Sequence, residues 1–202
     1  MRLPIYRDFT TSTGFGTARL ELAKPKLCSS GVLPLTIHQH TFTRSNMESD
    51  IGFQAALEEA RKGAAEGGVP IGACLVGADG KILVGATEVV MGSGLIDTLH
   101  DAKKHKAEIG ALENAGRLPA TAYQGATMYT TLSPCDMCTG ACILYKVKRV
   151  VLGENKTFVG GEDYLKQRGI EVVNVNSAEC EDLMKKFINE HPEEWNEDIG
   201  EQ

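Results

Sequence analysis

The chain is predicted to be an α/β protein: a three-layer α-β-α sandwich around a central mixed five-stranded sheet, with helices on both faces. Three observations predict it. Apolar residues alternate between a helical period and strand-like runs, in the order α-β-β-α-β-α-β-α-β-α. Turn and stop residues punctuate these segments. The 202 residues, 42% hydrophobic and 24% charged, match ordinary globular usage.

From Met47 the elements follow in order. Ile51 to Lys62 sets Phe53, Ala56, Leu57 and Ala60 on one helical stripe, with Glu58 and Lys62 as an i,i+4 pair. Gly67-Gly68 stops that helix. Pro70 to Val76 and Lys81 to Gly85 read as two strands across the Ala78-Asp79-Gly80 turn, a hairpin. A helix runs from about Ala107 to Ala115 and is closed by Gly116. Ala126 to Leu132 is a strand and Cys135 to Tyr145 a helix. Arg149 to Gly153 and Glu171 to Val175 are strands. Ala178 to Asn189 is a helix with Leu183, Met184 and Phe187 on one face, and a short helix starts at Pro192.

Charge divides the chain. Residues 1–46 hold six basic and two acidic side chains, a net +4, which leaves −10 for residues 47–202. The first segment is basic, rich in Ser and Thr, and interrupted by Gly14, Gly16, Pro25 and Pro34; little packed structure is expected there. It reads either as an upstream extension before a start at Met47 or as an organellar transit peptide. Its His38-x-His40 pair is expected to bind nothing. Residues 47–202 form the single folded domain. An acidic domain is a poor match for phosphate backbones, so no nucleic-acid partner is expected. No run of eighteen apolar residues exists, so no membrane-spanning helix is expected. Six cysteines are too few for a disulfide scaffold.

The chemistry concentrates at Ser133-Pro134-Cys135-Asp136-Met137-Cys138. Two cysteines three apart follow a strand and open a helix, where N-terminal N–H groups favour thiolates. They supply half of a tetrahedral zinc shell. No second C-x-x-C completes a four-cysteine site. A redox dithiol is the rival reading, and the preceding proline favours metal. A catalytic zinc needs a third protein ligand and an open position for water. In zinc deaminases H-x-E precedes P-C-x-x-C, and the glutamate moves protons. Here Glu108 is the candidate glutamate.

The segments Glu108 to Leu118 and Tyr129 to Gly140 closely resemble the fungal cytosine deaminases, within the zinc-dependent cytidine/deoxycytidylate deaminase superfamily. Gly67-Gly68-Val69-Pro70-Ile71-Gly72 and Trp195-Asn196-Glu197-Asp198-Ile199-Gly200 carry the same resemblance. It runs with gaps from about Ser49 to Glu201 and implies a cytidine deaminase-like fold. It further implies one zinc per subunit and hydrolysis of cytosine to uracil and ammonia. Cys135 and Cys138 are then metal ligands and Glu108 the catalytic proton shuttle. Phe158 and Trp195 are walls that stack on the base. Asp198 bonds its polar edge, and Ser133 and Leu132 line the pocket. Pyrimidine salvage, a homodimer and a cytoplasmic, in part nuclear, location follow from the same resemblance. Without it, Asp198 reads as part of a solvated acidic face with Glu193, Glu194 and Glu197, and Trp195 as a packing anchor. Glu113, Cys74, Cys142, Cys180 and His191 are read as structural or surface residues.

Two departures fall in Ala86 to Lys106. Lys106, not histidine, stands two residues before Glu108, and an ammonium cannot bind zinc. The third ligand is His100, which deletion of Asp101 to Lys106 would bring into H-x-E register, or His105, three residues before Glu108. The family's base-holding asparagine also has no counterpart in Gly85 to Gly94. These departures raise one alternative, a non-catalytic zinc-binding protein; the other, close in chemistry, is a deaminase of another base, nucleoside or tRNA adenosine.

Overall fold

The computed structural model describes residues 47–87 and 106–201. The segment 1–46, with His38 and His40, lies outside the described residues, as do His100 and His105.

Helix α1 (Ile51–Ala65) is capped by Asp50, whose carboxylate accepts from the Gly52 N–H at 2.9 Å. Its predicted stripe of Phe53, Ala56, Leu57 and Ala60 is buried. Strands β1 (Gly72–Val76) and β2 (Ile82–Thr87) form the predicted antiparallel hairpin, with a bulge between Leu75 and Val76. Pro70 and Ile71 stay out of β1. Pro70 has no N–H for the ladder, and the Ile71 N–H turns back to the Val69 carbonyl at 2.8 Å. At the other end β2 runs past Gly85 because Thr87 pairs with Gly72.

Then come α2 (Ala107–Asn114), α3 (Ala120–Tyr123), β3 (Thr127–Leu132), α4 (Asp136–Tyr145) and β4 (Arg149–Glu154). They are followed by α5 (Glu162–Gln167), β5 (Glu171–Asn174), α6 (Ala178–Glu190) and α7 (Pro192–Ile199). Gly116 closes α2 at φ +68°, a left-handed conformation that favours glycine. α5 fills the helical place between β4 and β5 that the alternation leaves without a range. α3 is absent from the sequence reading, since four residues are too short for a period.

The five strands form one mixed sheet in the order β2-β1-β3-β4-β5. β1 is antiparallel to β2 and β3, while β3, β4 and β5 are parallel. Successive side chains face opposite ways. Ala73, Leu75, Met128 and Val150 pack with Ala107, Leu112, Cys142 and Leu165 from α2, α4 and α5. Their neighbours Cys74, Val76, Tyr129 and Val151 pack on the other face with Phe53 and Leu57 of α1 and Cys180 of α6. The predicted three layers are these two cores and the sheet between them. In open α/β sheets ligands bind beyond the carboxyl ends of parallel strands. Here β3 and β4 deliver their next residues to that edge.

Candidate active site

Beyond β3, Ser133-Pro134-Cys135 leads directly into α4. Cys135 is the residue before the first helical turn, and Cys138 lies one turn inside. The Cys138 thiol is fully buried and donates to the Cys135 sulfur. That bond holds the Cys135 thiol down at about 7, while its role as donor, together with burial, pushes the Cys138 thiol up.

Glu108 sits in the first turn of α2 and is 4% exposed. The Thr130 hydroxyl of β3 donates to its Oε1 at 2.9 Å and also lies 3.1 Å from the Leu132 carbonyl. One hydroxyl proton serves one acceptor at a time. The nearby Glu108 charge also raises the Cys138 thiol.

Glu108 and Cys135 open onto a cavity of about 500 Å³, within the usual range for a small-ligand site. Glu108, Leu132, Ser133, Cys135, Phe158, Trp195 and Asp198 all line it, so the sequence-named pocket residues converge on one space. Phe158 and Trp195 meet edge to face at 6.0 Å between ring centroids. Asp198 follows Trp195 by three residues on α7 and so shares its face. Its side chain is 11% exposed and turned inward, away from the solvated acidic face that its neighbours suggest.

Three residues outside the expected set shape the cavity. Lys106 lines it, and its ammonium pairs with the Asp198 carboxylate; the lysine side chain is itself only 11% exposed. Thr130 holds Glu108. Glu162, 7% exposed, accepts from Ser133 Oγ at 2.9 Å and Asn155 Nδ2 at 3.0 Å. Ser133 Oγ in turn accepts from the Gly160 N–H at 3.0 Å, and Gly161 donates to the Pro134 carbonyl at 3.0 Å. These bonds staple the Phe158 loop to the segment before the cysteines. Sequence held partial signals for two of the three: a lysine in the histidine position, and a threonine pair in an apolar strand.

The cysteine pair suits zinc: two thiols interact at a helix N-terminus, one with its pKa brought down to about 7. Among the described residues no third histidine, cysteine or carboxylate completes a metal cluster with them. The two histidine candidates lie outside the described residues.

A mixed α/β sheet with a buried glutamate beside a helix-opening cysteine pair defines a deaminase of the cytidine deaminase fold. Comparison with known proteins agrees. Residues 47–154 match the family model described as the cytidine and deoxycytidylate deaminase zinc-binding region. The chain belongs to that family. It is 53% identical over 152 residues to a cytosine deaminase of Candida albicans, covering 74% of this chain and 95% of the relative. It is 31% identical over 153 residues to a tRNA-specific adenosine deaminase of Bacillus subtilis, covering 71% and 90%. A solved guanine deaminase from Nitrosomonas europaea shares the fold, with a TM-score of 0.50 at 21% identity, over 69% of this chain and 84% of that one.

Proposed function

We propose that this chain hydrolyses free cytosine to uracil and ammonia. One observation carries the reading: Glu108 and Cys135 meet, in one cavity, a carboxylate and two aromatic walls suited to a small flat base. The 53% identity to a cytosine deaminase supports the same substrate. The acidic balance of residues 47–202 disfavours a tRNA substrate.

Cys135, Cys138 and either His100 or His105 would hold one zinc per subunit. When bound, the zinc supplies a Lewis acid that makes water nucleophilic near neutral pH. Glu108 takes a proton from the attacking water and gives it to the ring nitrogen, then carries the proton of the added hydroxyl to the leaving amine. Thr130 donates to the Glu108 carboxylate. When Glu108 carries the proton, Thr130 accepts from it and turns its own proton to the Leu132 carbonyl. Phe158 and Trp195, edge to face with each other, form an apolar corner for the ring to pack against and exclude water. Water adds at C4, the C4–N bond breaks, and cytosine plus water balances as uracil plus ammonia.

The same reading includes pyrimidine salvage in the cytoplasm and a homodimer. Leu144, 76% exposed, and Met137, 48% exposed, are apolar surface on α4 that a dimer would cover. The test is ammonia release by the zinc-loaded protein offered cytosine, cytidine and tRNA separately. Turnover of cytosine alone is expected. Turnover of cytidine or tRNA without cytosine contradicts the substrate, and bound zinc with no turnover supports the non-catalytic alternative.

A further inference from the structure

The carboxyl ends of the three parallel strands carry a row of polar side chains that runs away from the cavity. Ser133 follows β3, Asn155 follows β4 and Asn174 ends β5. The strands are neighbours in the sheet, so the row starts at Ser133 in the cavity wall and ends at the exposed Asn176. Its contacts are continuous. The Asn176 N–H donates to Asn174 Oδ1 at 2.8 Å, Asn174 Nδ2 to Asn155 Oδ1 at 2.8 Å, and Asn155 Nδ2 to Glu162 Oε1 at 3.0 Å. The same Glu162 oxygen takes the Ser133 hydroxyl, whose own oxygen takes the Gly160 N–H.

The row has a direction, and it is set at the far end. A backbone N–H only donates, so the Asn174 amide presents its oxygen to Asn176 and its NH2 to Asn155. Asn155 must then give its oxygen to Asn174 and its NH2 to Glu162. Glu162 Oε1 accepts from both sides, and the one hydroxyl proton of Ser133 is committed to it. Only with its proton there does the Ser133 oxygen face the Gly160 N–H as an acceptor. Gly160 lies two residues from Phe158, which meets Trp195 edge to face in the cavity wall. An unbroken run of hydrogen bonds thus links the end of β5 to the loop that carries Phe158.

We propose that Asn174, outside the cavity, is a positioning residue: its amide orients Asn155 and, through Glu162 and Ser133, holds Phe158 where the substrate ring packs. It touches no substrate itself. The proposal rests on the cytosine reading for its ligand and adds a determinant of affinity beyond the pocket.

Asn174→Asp separates direction from packing. The new carboxylate still accepts from the Asn176 N–H but has no hydrogen for Asn155, whose amide must turn and set its oxygen against Glu162 Oε1. Asn174→Ala removes both bonds and leaves Asn155 free to keep its NH2 on Glu162. The zinc-loaded wild type is compared with these two variants, with Asn155→Ala, and with Asn155→Ala combined with Asn174→Asp. Zinc content and urea midpoints are measured in each. One readout is KM and kcat for cytosine by ammonia release. The other is the emission of Trp195, the single tryptophan of the chain, buried beside Phe158 and shifted to the red when that ring leaves it. A neutral hydrogen bond corresponds to about 2- to 10-fold. Asn174→Asp is expected to raise KM by that factor with kcat little changed, and to shift Trp195 to the red. Asn174→Ala should do less of both, and the double variant should match Asn155→Ala. The proposal is overturned if Asn174→Asp is no worse than Asn174→Ala, if its effect survives in the Asn155→Ala background, or if kcat falls while KM holds. If wild type does not turn over cytosine, the deaminase reading fails, and the Trp195 emission of the same proteins still decides the role of Asn174.

Discussion

Thr130 Oγ1 lies 2.9 Å from Oε1 of Glu108, and both side chains are buried. A proton-shuttling carboxylate benefits from a partner that can donate or accept, and a hydroxyl does both. Thr130→Val keeps the shape and removes the hydroxyl. It is expected to lower kcat about 10- to 100-fold, the value of a hydrogen bond to a charged group, with zinc content unchanged. Thr130→Ser should retain most of the activity. Steady-state kinetics with metal analysis checks both.

The Phe158 loop depends on Glu162. Glu162→Leu leaves Ser133 and Asn155 without their acceptor, at a cost of about 1–3 kcal/mol in stability. It also releases the loop, so KM for cytosine should rise more than kcat falls. Glu162→Gln keeps one acceptor oxygen and should recover most of both. Urea unfolding and a KM-against-kcat comparison separate the two effects.

Gly160 is required by close approach. A Cβ there would stand 1.9 Å from the Pro134 carbonyl oxygen and 2.6 Å from its carbon, both backbone atoms that cannot swing aside. Gly160→Ala is therefore expected to destabilise by about 1–3 kcal/mol, the usual cost of overpacking, and to raise KM by displacing Phe158. Unfolding midpoints and Michaelis curves measure these. Unchanged values would show that the loop and the segment before α4 move independently.

How far the sequence reveals this site depends on how locally each signal is written. Cys135 and Cys138 stand out because a proline-led C-x-x-C between a strand and a helix has few uses. Trp195 and Asp198 stand out only as one string with Ile199 and Gly200, since composition alone puts Asp198 in solvent. The strands holding Leu75, Met128 and Val150 are legible as short runs between turn residues, while their faces are not, because β1, β3 and β4 are buried along nearly their whole length on both sides. Lys106 is not legible as a pocket residue: its position says only that no histidine is there, and its pairing with Asp198 spans 92 positions. The contact from Thr130 to Glu108 and the Glu162 network are likewise made by the sheet and its crossovers. Strand ends shift where a proline or a turn removes a ladder hydrogen bond, as at Pro70.

The zinc assignment has its own test. Cys135→Ser and Cys138→Ser should each lose zinc. Of His100→Ala and His105→Ala, one should lose zinc and the other keep it. Metal content per chain, measured after exhaustive dialysis, reads this directly. Chelation should lower the thermal midpoint and added zinc should restore it, because a ligand that binds only the folded state stabilises that state.

The central claim is that Glu108 moves the protons of a cytosine-hydrolysing site. Ammonia release from cytosine by the zinc-loaded wild type and Glu108→Gln, with zinc quantified in the same samples, tests it most directly. The expected result is turnover by wild type and a loss of about 10²- to 10⁴-fold in the variant with zinc still bound. Comparable turnover by Glu108→Gln with zinc retained would contradict it.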